Sequence, residues 1–155
     1  VRVRGVLAGD GPLRGELEAF ARASAAPATF AGFLNQSRVT EVYAAADVVV
    51  LPSHSETWGL AVNEALACGK PCLVSDRVGC APDLVIPGVT GAVFPHGDPK
   101  ALAVLLEQLA AGALRFPSIS SERDALLERH SCPTAARGIV NALRRFGRPP
   151  SAPTP

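Results

Sequence analysis

A chain of 155 residues, 48% hydrophobic and 19% charged, carries enough apolar surface for one packed core and too much for a disordered segment. Fifteen basic and fourteen acidic side chains leave a net charge of +1, which removes the electrostatic case for nucleic acid as a partner. No apolar run approaches the roughly 18 residues of a spanning helix, and no signal peptide is expected from Val1-Arg2-Val3-Arg4, which lacks an apolar stretch. Methionine is absent and the first residues already read as a strand, so the expectation is a fragment that begins inside a larger fold. Cys68, Cys72, Cys80 and Cys132 have no histidine at zinc-finger spacing and read as free or structural thiols.

Taken in order, apolar strand runs alternate with helical stretches. Residues 3–8 form a strand that ends in Gly9-Asp10-Gly11-Pro12, and 13–23 have helical composition. A strand at 29–33 precedes a helix capped by Ser37 and running to Ala45. Residues 47–51 read as a buried, β-branched strand, and 59–68 as a helix stopped by Gly69 and Pro71. Cys72-Leu73-Val74 is the next strand, 82–86 a short helix, and 91–94 a further strand. The helix at 99–111 places Leu102, Leu105, Leu106 and Leu109 on one face. Two mixed-charge helices follow at 122–129 and 134–146, and the Pro-rich tail from 147 to 155 is expected to be disordered.

This alternation predicts an α/β fold: a Rossmann-like parallel sheet flanked by helices, with right-handed crossovers. Ligands bind such sheets at the carboxyl ends of the strands. That singles out the loops at 9–12, 52–59 and 75–81. Gly9-x-Gly11 is not a dinucleotide fingerprint, because position 14 is Arg14 rather than Gly.

The richest segment is Pro52-Ser53-His54-Ser55-Glu56-Thr57-Trp58-Gly59-Leu60-Ala61-Val62-Asn63-Glu64-Ala65. It leaves a strand and opens a helix. The amides of Trp58, Gly59 and Leu60 lie at the helix start without intrahelical acceptors, a site suited to phosphate. Gly59 is expected to let a ligand approach the backbone. Glu56 and Glu64 are separated by seven residues, one before the helix and one past its first turn. Carboxylates accept paired hydrogen bonds from vicinal diols, so ribose, phosphate and a sugar could be held in line. The same residues also admit a plainer reading, in which Glu56 is solvated and Glu64 caps or pairs on the helix surface.

These residues sit in a longer run of blocks: Ala8-Gly9-Asp10-Gly11-Pro12-Leu13, Phe30-Ala31-Gly32-Phe33, Val42-Tyr43-Ala44-Ala45-Ala46-Asp47, Leu51-Pro52-Ser53, Asn63-Glu64-Ala65-Leu66-Ala67-Cys68-Gly69-Lys70-Pro71 and Gly88-Val89-Thr90-Gly91. In order and spacing they resemble the family 4 (group 1) glycosyltransferases, in the donor-binding C-terminal domain of the two-domain GT-B architecture. The resemblance implies a retaining transfer of a sugar from a UDP-, GDP- or ADP-sugar to an acceptor hydroxyl, with no cofactor and no metal. It implies that Glu56 contacts the donor sugar at the reaction centre and that Glu64 binds the ribose. Thr57, Trp58, Gly59 and Leu60 would meet sugar and diphosphate, Gly32, Phe33 and Leu34 the nucleobase, and Gly9 and Gly11 the same cleft. Trp58 stands where the family often has Phe, and Asp83 where it often has Glu.

The resemblance also implies what this chain lacks. An Arg/Lys pair from a preceding strand–helix unit and an N-terminal acceptor domain would lie outside it, so the domain at 1–146 is expected to be truncated at its N-terminal edge and inactive alone. A cytoplasmic location at the inner face of the membrane, with weak peripheral association, is expected of the full enzyme. His54, His96, His130 and Arg77 read as surface residues, and Arg144, Arg145 and Arg148 as a basic helix end. The rival readings are a non-catalytic nucleotide- or protein-binding module of the same fold, and an epimerase of the same architecture.

Overall fold

The computed structural model describes residues 3–117 and 120–147. Its elements are β1 (Gly5–Ala8), α1 (Arg14–Ala23), β2 (Ala28–Gly32), α2 (Gln36–Ala45), β3 (Val49–Leu51), α3 (Leu60–Ala67), β4 (Cys72–Ser75), α4 (Ala81–Leu84), β5 (Gly91–Phe94), α5 (Pro99–Ala110), α6 (Ser121–Arg129) and α7 (Cys132–Phe146). Through β5 a helix separates each strand from the next, so each ladder is parallel. Val6 lies opposite Thr29, Val50 opposite Leu73, and Leu73 opposite Ala92.

The strands form two sheets, β1-β2 and β3-β4-β5, with no ladder joining them among the described residues. The sequence pattern identifies strands but not their neighbours, because pairing is a matter of tertiary register. The division changes β3. Read as a buried strand over 47–51, it is shorter and only half-buried. It pairs with β4 alone and forms an edge of its sheet. The centre of burial is β4, all four of whose residues are buried between its two neighbours.

The core joins β4 to α3 and α4: Val62, Ala65, Leu66, Cys72, Val74, Cys80 and Leu84 pack in one cluster. Each large aliphatic side chain buried there contributes roughly 1.5–3 kcal/mol. Leu126 of α6 is buried, and Leu127 packs against the same cluster. The turn from α4 to β5 is held by Thr90, whose hydroxyl donates to the Leu84 carbonyl at 2.7 Å and accepts from the Ile86 amide at 2.7 Å. A side chain on Gly91 would collide with the Cys72 carbonyl. This accounts physically for the Thr90-Gly91 end of the Gly-Val-Thr-Gly block.

One local expectation changes. The cap of α2 is Asn35, whose side chain accepts from the Arg38 amide at 3.0 Å, while Ser37 donates its hydroxyl to that same oxygen. Asn35 was available two residues earlier, and its extended backbone fits the cap position. The leucines placed on one face of α5 are half-buried. Most of the tail from 147 to 155 lies outside the described residues, as does Arg148.

Candidate functional site

The loop from β3 to α3 is stitched to the turn after β4. The Glu56 amide donates to the Arg77 carbonyl at 3.2 Å, the Gly79 amide to the Glu56 carbonyl at 2.8 Å, and the Cys80 amide to the Trp58 carbonyl at 2.8 Å. A Cβ on Gly79 would collide with the Thr57 carbonyl, so only glycine lets the two loops lie this close. Below them, the buried Ser75 hydroxyl donates to the Ser53 carbonyl at 2.6 Å.

Gly59 is the N-cap of α3, at φ +99, in the left-handed region. The expected reason for this glycine was room for a ligand. The structure gives a different one: a Cβ there would point inward, 3.0 Å from Val78 and 3.3 Å from Leu51. The glycine is demanded by backbone conformation and core packing. The Trp58 amide also differs from expectation. It is not an open donor, because it gives its proton to Oε1 of Glu56 at 3.3 Å. The amides that follow, in the first turn of α3, keep the orientation that favours an anion.

Glu56 is thereby anchored at the helix tip, half-buried, and Glu64 stands exposed on α3 as its fifth residue. Glu64 has a partner that sequence reasoning did not assign. The hydroxyl of Tyr43, on α2, donates to its Oε2 at 2.9 Å. Tyr43 is 8% exposed, and burial, reinforced by the Glu64 carboxylate, raises its pKa, so the phenol keeps its proton and remains a donor. The signal in the sequence was faint: Tyr43 is the lone tyrosine, placed on the helix before the motif. The indole N–H of Trp58 donates to Oδ1 of Asn63 at 2.8 Å.

The remaining residues fall into a second cluster at the ends of β1 and β2. The Gly9 amide donates to the Gly32 carbonyl at 2.8 Å, drawing these two loops together. Gly11 is exposed in the turn before α1, its amide donating to the Asp10 side chain. Phe33 is 81% exposed just beyond β2, with Leu34 half-buried beside it. Among the described residues no hydrogen bond joins this cluster to the Glu56 loop. Thr57 and Leu60 are exposed along the loop between the two carboxylates. A depression of about 500 Å³ lies at the turn after β4, lined by Asp76, Arg77, Gly79 and Pro82, and neither glutamate lines it.

All three histidines, read as plain surface residues, have aromatic partners. His54, after β3, meets His96, after β5, at 4.8 Å between ring centroids. His130, at the end of α6, meets Trp58 at 5.6 Å. Among the described residues no three metal-ligating side chains converge, and no helix is long and apolar enough to cross a membrane.

The chain is similar to known proteins in sequence and in fold. The sulfoquinovosyl transferase of Arabidopsis thaliana is 42% identical over 93 residues, covering 58% of this chain and 18% of that protein. A GDP-mannose-dependent phosphatidylinositol dimannoside mannosyltransferase of Mycobacterium tuberculosis is 46% identical over 76 residues, 48% of this chain and 19% of the other. The chain therefore spans less than a fifth of the length of these curated relatives. The crystal structure of Anabaena HepE in complex with UDP-glucose superposes with a TM-score of 0.79 at 26% identity, over 93% of this chain and 41% of that one. The profile described as glycosyl transferases group 1 matches residues 1–118. With three-quarters of its length matched by that profile, the chain belongs to the group 1 glycosyl transferases.

Proposed function

We propose that this chain is the donor-binding half of a retaining glycosyltransferase, holding a nucleoside diphosphate sugar along the start of α3. The observation that carries the reading is the pair of anchored carboxylates. Glu56 is fixed by the Trp58 amide at the helix tip, and Glu64 by the Tyr43 phenol one turn further on. In this reading Glu64 takes the ribose diol, the first-turn amides face the diphosphate, and Glu56 takes sugar hydroxyls at the reaction centre. Phe33 and the backbone at Gly32 and Leu34 would border the base. Gly9 and Gly11 would shape the near wall of the cleft.

The reaction breaks the bond between the anomeric carbon and the diphosphate oxygen. The acceptor hydroxyl oxygen takes that place on the same face of the sugar, and its proton leaves with the diphosphate. Amides and basic side chains, rather than a metal ion, would stabilise the leaving charge. The acceptor-binding domain and the basic pair would come from chain beyond this one, which fits the small share of each curated relative that it spans. The longer enzyme would work in the cytoplasm, at the inner face of the membrane.

Calorimetry with UDP, GDP and ADP tests the site. One of the three should bind weakly, the affinity should be unchanged by EDTA, and Glu64→Ala should lower it about 10-fold or more with the fold intact. Binding that Glu64→Ala leaves untouched would refute the ribose assignment. The isolated chain should transfer no measurable sugar.

A further inference from the structure

Trp58 is the only tryptophan in the chain, and it is held from three directions. Its indole N–H donates to Asn63 at 2.8 Å, its carbonyl accepts from the Cys80 amide at 2.8 Å, and its ring meets the His130 imidazole at 5.6 Å, tilted by 40°. The first contact comes from α3 and the second from the turn after β4. The third comes from a distant part of the sequence. His130 caps the end of α6, whose Leu127 packs against the core around α3 and whose Leu126 is buried. Its amide donates to the Leu126 carbonyl at 3.0 Å, so the ring is carried on a fixed helix end.

We propose that His130 is a positioning residue: by packing on Trp58 it holds the 56–60 loop in the shape that the sugar end of a nucleotide-sugar requires. This rests on the donor-site reading above. The Trp58 amide is what anchors the Glu56 carboxylate, and Trp58 immediately precedes the helix cap. A ring that swings free would therefore release Glu56, whereas the first amides of α3 stay fixed by the helix itself. Glu64 is braced separately, by Tyr43 from α2. The two ends of the donor are thus held by different supports, and losing His130 should be felt at one end only.

That asymmetry separates positioning from a general loss of structure. Emission of the sole tryptophan is recorded for the 155-residue wild type, His130→Ala and His130→Phe, with acrylamide quenching. Affinities are measured for UDP against UDP-glucose and for GDP against GDP-mannose, and thermal unfolding is followed in parallel. The expected result is red-shifted, more quenchable emission in His130→Ala. Its affinity for the nucleotide-sugar should fall about 3- to 10-fold, the worth of one aromatic pair, with affinity for the bare nucleotide unchanged. His130→Phe should restore both readouts, and His130→Gln replaces His130→Ala if the latter does not fold. Unchanged emission, an equal loss for nucleotide and nucleotide-sugar, or no rescue by Phe overturns the proposal. A wild-type chain that binds both ligands, with His130→Ala indistinguishable from it, overturns the proposal alone. A wild-type chain that binds none of them removes the donor-site reading and the proposal with it.

Discussion

Strands β1 and β4 are both four residues long, apolar and parallel-paired, yet their surroundings are opposite. In β4 every residue is buried, with Leu73 wholly inaccessible; in β1 every residue is exposed, Val6 to 51% and Leu7 to 38%. β4 has a strand on either side and α3 packed over it, whereas β1 has a single strand neighbour, β2, among the described residues, and touches α2. The carboxylates are built on the first of these supports. The Glu56 loop is bonded to the turn after β4, and Glu64 stands on the helix that covers it. The Gly9, Gly32 and Phe33 loops are built on the second. An apolar strand therefore does not make a rigid platform by composition alone; coverage by other elements does.

The largest test of that contrast is a pair of truncations. Leu73→Ala should cost about 3–4 kcal/mol in urea unfolding, from lost burial and the cavity left behind. Leu7→Ala, at an exposed site, should cost under about 1 kcal/mol. Equal losses would mean that β1 is as well covered in solution as β4, and the comparison would fail.

A smaller effect probes the join between platform and site. Gly79→Ala forces a methyl into the Thr57 carbonyl. It should cost about 2 kcal/mol and weaken nucleotide-sugar binding about 10-fold, since the displaced loop carries Glu56. A wild-type affinity in this variant would show that the Glu56 loop does not depend on the turn after β4.

The smallest effect is chemical. Burial raises the Cys72 thiol to about 12 and the Cys80 thiol to about 11. Both lie on the well-covered side of the molecule, whereas Cys132 on α7 is exposed. At pH 8 iodoacetamide should modify Cys132 readily and reach Cys72 and Cys80 only after denaturant is added. The linkage has a definite sign. A folded-state pKa above the unfolded value of about 8.5 means that the native state holds the proton more tightly. The contribution of these thiols to stability is then complete below about pH 8.5 and is lost as the pH rises toward 11 and 12. Stability that does not fall over that range would show that the two thiols are not buried.

Much of this protein is legible in order along the chain. The strand and helix boundaries follow hydrophobic period and punctuation, and β5 falls at the residues expected. The seven-residue spacing of Glu56 and Glu64 brackets a helix start because both ends of the motif are local. The blocks shared with glycosyltransferases are equally a property of order and spacing. The tertiary structure decided what depends on distant residues meeting. It divided the strands into two sheets and turned Gly59 toward Val78 and Leu51 instead of toward a ligand. It brought the Tyr43 hydroxyl to Glu64 across 21 residues of sequence, and His130 to Trp58 from the far end of α6. Periodicity reports which face of an element is apolar, but only packing determines which other element covers it, and that choice places the polar partners of the site.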